Sequence, residues 1–328
     1  MHGRVLVTGA GGFIGSHLCE RLVRDGANVR ALCRYTSERS LGNLVYADPA
    51  ALEEMDVWFG DLLDTDFVAA AIRGCDVVFH LAASISVAYS FEAPRQVVAT
   101  NVEGSLNVLS AALREGAIDR IVHLSSSEVY GTAQYTPIDE QHPLHAQSPY
   151  AASKVGADKL AEAFHLSYEL PVAIARPFNT FGPRQSLRAV IPTVIAQARA
   201  GSIVRLGATS PTRDFVYVAD TVDALVRLAS AGEVVGKTFN IATGVDVSVA
   251  DVVELVGEIL GRPLRIHVDE DRMRPPLAEV FQLQGDATHL REATGWQPEM
   301  SLRDGLQAVI EWMGQRDAAP TAPEAYAL

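Results

Sequence analysis

Short apolar runs alternate with stretches whose apolar residues recur every three or four positions. Arg4–Gly9 (RVLVTG) is apolar nearly throughout, the pattern of a parallel strand buried on both faces. Gly12–Asp25 then spaces Ile14, Leu18, Leu22 and Val23 along a helical face, and Gly26 suits the position just past a helix C-terminus. Val29–Arg34, Asp56–Asp61, Asp76–Ala83, Arg120–Ser125 and Val172–Arg176 read as further strands. Helices fall between them, among them Asn101–Glu115 and Tyr150–Tyr168. This alternation predicts an α/β fold built on a doubly wound parallel sheet, Rossmann-like.

Beyond Arg176 the pattern weakens. Pro177, Gly182, Pro183 and Pro192 punctuate what reads as a loop-rich excursion. Tyr217–Ala229 is again helical, and Lys237–Gly244 is a strand expected to rejoin the main sheet. A helix over Ser248–Leu260, a strand over Leu264–Val268 and a last helix over Leu302–Met313 predict a smaller mixed α/β C-terminal domain. The chain thus divides into residues 1–178 with 214–244, and residues 179–213 with 245–315, as 328 residues are too many for one small core. Residues 316–328, rich in Ala and Pro, read as a disordered tail.

Composition narrows the function by exclusion. A net charge of −13 argues against nucleic acid and anionic membrane as partners, since both need a basic footprint. No apolar run reaches the roughly 18 residues of a membrane span, and no signal-peptide layout precedes the first strand. Cys19, Cys33 and Cys75 lack Cys-x-x-Cys spacing, so neither a metal site nor a disulfide framework is expected, and the location expected is cytoplasmic.

The first strand runs into TGAGGFIG, with Gly9, Gly12 and Gly15 where a tight turn opens the first helix. Such a turn lets backbone approach a pyrophosphate at the positive end of the helix dipole, which makes the larger unit a dinucleotide-binding domain. At the end of the second strand stands Arg34 rather than an acid for the ribose 2′-hydroxyl, so NAD and NADP both remain open. Asp61, ending the third strand, suits an adenine-edge contact.

SPYAASK sets Tyr150 and Lys154 on one helical face, behind the N-cap Ser148. An ammonium beside a phenol favours the phenolate, giving a base for a sugar hydroxyl whose carbon loses hydride. HLSSSEVYG follows the fifth strand, where such sheets place ligand chemistry. There Ser126 is the natural hydrogen-bond partner of the reacting oxygen, and Glu128 is a carboxylate able to take a carbon-bound proton next to a carbonyl.

Together with FHLAA, Asn101 in TNVEGSLNVL, RPFNTFGPRQ (Arg176–Gln185), RDFVYVAD (Arg213–Asp220) and the RMRP loop, these motifs resemble the extended short-chain dehydrogenase/reductase family of nucleotide-sugar epimerases and dehydratases. SEVYGTAQYTPIDEQHPL, QSPYAASK, ARPFNTFGPRQSLRAVIPT and SPTRD are most similar to bacterial UDP-N-acetylglucosamine 4,6-dehydratases of legionaminic acid biosynthesis, with the GDP-mannose type next. Two positions depart from the related dehydratases: Ser126 replaces a usual Thr, and Ser127 stands where the dTDP-glucose enzymes carry Asp.

The resemblance implies catalytic roles for Ser126, Glu128, Tyr150 and Lys154. It places Gly9, Gly12, Phe13, Ile14, Gly15, Arg34, Asp61, Leu62, Leu81, Ala82, Ala83, Asn101, Tyr150, Lys154 and Pro177 at a tightly bound, recycled NAD, with NADP possible. Phe178 would join Pro177 beside the nicotinamide. Ser84, Ser127, Asn179, Arg188, Arg213 and Arg274 would face the nucleotide sugar, with Arg213 and Arg274 on its diphosphate. A homodimer is implied, made by a four-helix bundle of Asn101–Glu115 and Tyr150–Tyr168. The reaction implied is a 4,6-dehydration, with 4-epimerisation as the rival; UDP-glucuronate decarboxylation and noncatalytic dinucleotide sensing are weaker alternatives.

Overall fold

Along the first strand Val5 and Val7 pack into one apolar cluster while Leu6 packs into another, all three buried. Ala173 and Ala175 alternate in the same way with Val172 and Ile174, so the sheet has a core on each face. The computed structural model describes residues 3–273 and 276–315; Arg274 and the expected tail over 316–328 lie outside the described residues.

In chain order the strands are β1 (Arg4–Thr8), β2 (Asn28–Arg34), β3 (Asp56–Gly60), β4 (Val77–His80), β5 (Arg120–Leu124), β6 (Val172–Pro177), β7 (Asn179–Phe181), β8 (Ile203–Leu206), β9 (Thr212–Tyr217), β10 (Thr238–Ile241), β11 (Asp246–Ser248), β12 (Arg265–Val268) and β13 (Gln282–Leu283). The main sheet runs β10-β6-β5-β4-β1-β2-β3. All its pairings are parallel, with Val7 opposite both Ala31 and Phe79. Strand order reverses between β1 and β4, and ligands of such sheets bind outside the carboxyl ends at that switch point. The fold is Rossmann-like, as the alternation predicts.

β4 stops at His80, short of the expected Ala83, and the helix expected from Asn101 has its α-helical part at Gly104–Glu115. The five residues before it, Ala99–Glu103, form a π-helical turn. The excursion after Arg176 is more regular than its prolines suggest: it holds β7, a helix over Val190–Ala200, β8 and β9. Pro192 lies in the first turn of that helix, where its missing N–H would have had no intrahelical partner.

In this smaller part β9 is central, flanked by antiparallel β11 and by parallel β7 and β13, while β8 and β12 form a separate parallel pair. A third apolar cluster, including Phe181, Ile195, Phe215, Val253 and Leu306, fills it. Among the described residues no helix is long and apolar enough to cross a membrane.

Trp296 joins the later chain to the larger core. It is fully buried in the β1-side cluster, and its indole donates to the Asp220 carbonyl at 3.0 Å. The Asp220 carboxylate accepts from the Glu299 and Met300 amides. Trp296→Ala is expected to cost about 3–5 kcal/mol, the range for emptying a buried indole site. A urea denaturation midpoint close to that of the unaltered protein would show that the site collapses onto its neighbours instead.

Candidate active site

The chain enters the first turn with Gly9 at φ 73, where a β-carbon would stand 2.8 Å from the Ala82 amide nitrogen. A β-carbon on Gly15 would lie 2.1 Å from the Gly9 carbonyl oxygen. Backbone meets backbone here, and a side chain would hold the strands apart. The helix that follows, Phe13–Arg24, has neither a side-chain cap nor an acid in its first turn. Its first amides and dipole are therefore free to face an anion, so the turn fits a dinucleotide pyrophosphate. Arg34 and Asp61 are exposed at the ends of β2 and β3, with the Asp61 carboxylate accepting from the Leu63 amide, and Leu62 is buried beneath.

Across the switch point, residues 81–84 are held by two side chains. Thr8 Oγ1 accepts from the Leu81 and Ala82 amides at 3.1 and 3.2 Å. Asn101 Oδ1 accepts from the Ser84 amide, while its Nδ2 donates to the Ser84 carbonyl and to Ser153 Oγ. Asn101 is thus fully engaged in fixing this segment. Ser105 donates its hydroxyl proton to the Asn101 carbonyl, so His80 Nε2–H donates to Ser105 and His80 Nδ1 accepts from the Thr8 hydroxyl. Burial holds His80 far below the usual histidine range, which agrees with that neutral ring.

Tyr150 and Lys154 lie on the Pro149–Tyr168 helix, which starts where Ser148 Oγ accepts from the Ala151 amide. Both are buried, and Ser126 hydrogen-bonds the phenol. Ser126 Oγ also accepts from the Glu128 amide at 3.2 Å, so the turn after β5 brings Glu128 round with its charge acting on Tyr150. Ser127, between them, is buried.

The ionisation of the pair differs from the expectation. Burial pushes the Tyr150 phenol up to about 12; the Ser126 hydrogen bond opposes this, and Glu128 and Asp158 add to it. Lys154 donates to the Leu124 carbonyl at 2.6 Å, and burial brings its ammonium down to about 8. Spacing sets the two groups on one face, but in the protein alone desolvation is the largest influence on each.

Pro177 and Phe178 are buried where β6 ends, and Asn179, opening β7, keeps its Oδ1 buried without a protein partner. Arg213 is buried on β9, donating to the Thr212 carbonyl and lying 3.5 Å from Glu279. Arg188 is exposed. Four residues that hold this edge together escaped the sequence reading: Thr8, His80, Ser153 and Asp158. A signal existed for Asp158, which continues the four-residue spacing of Tyr150 and Lys154.

Comparison with known proteins gives this geometry a context. A profile of the family GDP-mannose 4,6 dehydratase matches residues 6–309. The chain belongs to that family. Its members lie within the extended short-chain dehydrogenase/reductases, alongside nucleotide-sugar epimerases and decarboxylases. The chain is 36% identical over 317 residues to a UDP-glucose 4-epimerase of Mycolicibacterium smegmatis, covering 94% of this chain and 98% of that protein. It superposes with TM-score 0.87 and 26% identity on a mutant UDP-glucuronic acid 4-epimerase from Bacillus cereus holding NAD and a UDP-sugar, over 95% of this chain and 99% of the other. The NAD-bound dTDP-glucose 4,6-dehydratase of Streptomyces venezuelae gives 0.83 at 29%, over 95% and 97%. Enzymes of the family use NAD on nucleotide sugars, and both dehydratases and epimerases occur among these relatives.

The depressed Lys154 carries a linkage of defined sign. Its ammonium titrates near 8 in the folded chain against 10.5 unperturbed, so folding gains stability as pH rises between those values. Lys154→Met removes that gain. The stability difference, variant minus unaltered protein, is expected to fall steadily from pH 8 to about 10.5 in urea titrations. A difference independent of pH would mean that Lys154 is not desolvated.

Proposed function

We propose that this family member is a nucleotide-sugar 4,6-dehydratase, converting an NDP-hexose of the UDP-N-acetylglucosamine or GDP-mannose type to its 4-keto-6-deoxy product. The observation that carries the reading is Glu128, a carboxylate in the turn after Ser126 whose charge acts on Tyr150. A 4-epimerase needs no base at C5.

When bound, the oxidised dinucleotide supplies the hydride acceptor and donor, and a positive charge near the phenol. Tyr150 takes the C4 hydroxyl proton, with Ser126 hydrogen-bonded to the same oxygen and Lys154 stabilising the phenolate. The new 4-keto group acidifies the C5 hydrogen, which Glu128 removes as the C6 hydroxyl takes up a proton and leaves as water. A hydride returned to C6 would be matched by a solvent proton at C5, leaving no net oxidation.

We read the cofactor as NAD, with the exposed Arg34 compatible with the 2′-phosphate of NADP. In this reading residues 1–178 and 214–244 hold the dinucleotide, while 179–213 and 245–315 close over the sugar nucleotide. Three buried free cysteines suit a cytoplasmic enzyme. Exposed Leu106 and Leu166, on the Gly104–Glu115 and Pro149–Tyr168 helices, support a homodimer through a four-helix bundle. The 36% identity to a UDP-glucose 4-epimerase favours 4-epimerisation as the second reading.

In heavy water, incubation with UDP-N-acetylglucosamine or GDP-mannose should give a product lighter by one water, with deuterium at C5. A 4-epimer without deuterium would overturn the dehydratase assignment. Glu128→Gln should still reduce bound cofactor on adding substrate yet release no dehydrated product; full turnover by that variant would remove Glu128 from its role.

A further inference from the structure

Lys154 is only 4% exposed, and an ammonium at that depth stays charged only beside an opposing charge. Its hydrogen bond ends on the Leu124 carbonyl, the last residue of β5. The next residue, Ser125, donates its hydroxyl to Asp158 Oδ2 at 2.8 Å. Asp158 lies one helical turn beyond Lys154 on the same helix, so Lys154, Leu124, Ser125 and Asp158 close a ring between strand and helix. Within it Asp158 is 1% exposed, and Arg176 Nε donates to the same Oδ2 at 3.1 Å.

We propose that Asp158 is a positioning residue for the proton-handling pair: its buried carboxylate keeps the Lys154 ammonium charged and holds the strand end carrying Ser126 against the helix carrying Tyr150.

The charges around Lys154 support this from every side. Burial alone would raise the Asp158 carboxyl, but His123, Arg176 and the Ser125 hydrogen bond outweigh it and hold it below the ordinary range. Asp158 is in turn the influence that opposes the desolvation of Lys154. From β4 and β5, His80 and His123 face Lys154, and burial lowers both rings from the usual histidine range; His123 Nε2 is 3.5 Å from Asp158 Oδ1. From β6, Arg176 also donates to the Tyr130 hydroxyl. From the turn after β5, Glu128 acts on Tyr150 on the same helix. Lys154 and Arg176 against Asp158 leave one buried positive charge, which a Tyr150 phenolate would neutralise.

The proposal rests on reading Tyr150 and Lys154 as the proton-handling pair, but its test needs no substrate, so a wrong reaction and a wrong role for Asp158 fail separately. Lys154, Lys159 and Lys237 are the chain's three lysines, and the last two are exposed. Labelling lysine Cε with carbon-13 should give resolvable resonances, with that of Lys154 titrating near 8. In Asp158→Asn its midpoint should drop by about one to three units, the loss of a nearby opposite charge, and in Asp158→Glu it should recover. An unchanged midpoint in folded Asp158→Asn, or no recovery in Asp158→Glu, overturns the proposal. Should Asp158→Asn fail to fold, Ser125→Ala decides: a smaller downward displacement supports the proposal, and none overturns it.

Discussion

The carboxyl edge of the sheet depends on one steric constraint, the contact of the Phe13–Arg24 helix with the end of β1 at a distance that no β-carbon permits. Gly15 meets the Gly9 carbonyl, and Gly9 in turn meets the Leu81–Ala82 backbone. Three backbones converge without an intervening side chain, and the helix dipole is aimed at the switch point as a result. The same turn anchors more distant chain. The Gly11 carbonyl accepts from the Asn43 amide, and Asn43 Nδ2 donates to the Arg184 carbonyl. Arg184, just beyond β7, spans to Glu20 and to the Tyr46 carbonyl. The smaller part is therefore tied to the glycine turn by hydrogen bonds as well as through its own packing.

Behind this edge lies a polar layer inside an apolar core. Tyr130 donates to Asn240 Oδ1 on β10, and Asn240 Nδ2 donates to the Ile138 carbonyl. The cation of Arg176 also lies over the Tyr130 ring, 5.1 Å from its centre. Buried ionic groups add little net stability over apolar residues of equal volume. Their contribution here is geometric: each bond has one acceptable partner, so β5, β6, β10 and the loop around Ile138 are held in a single arrangement.

Much of this was legible in the sequence because it depends on period and spacing. Apolar runs identify the parallel strands, glycine spacing marks the turn, and a four-residue interval sets Tyr150 and Lys154 on one face. What escaped depends on contacts distant along the chain or on depth. Pro192 reads as a breaker until it is known to lie in a first turn. Asn101 reads as a cofactor neighbour, and spacing does not show that its amide holds Ser84 and Ser153. The raised phenol could not be read from spacing, which reports proximity but not the water excluded from it. The roles assigned to the substrate-facing residues rest on resemblance, and Arg274 lies outside the described residues.

The π-helical turn at Ala99–Glu103 has a consequence of phase. Each residue advances an α-helix by about 100°, so a turn closed one residue late rotates everything after it by that angle relative to everything before. Val97 is buried ahead of the turn, and Val108, Leu109 and Ala112 are buried after it. Their apolar stripes need not share one helical wheel, and Asn101 sits where the wheel slips. Losing a single residue from this turn would restore an uninterrupted helix while swinging that asparagine away from the Ser84 backbone. The irregularity thus sets an angle, and a one-residue deletion there acts on the aim of a side chain more than on the length of the helix.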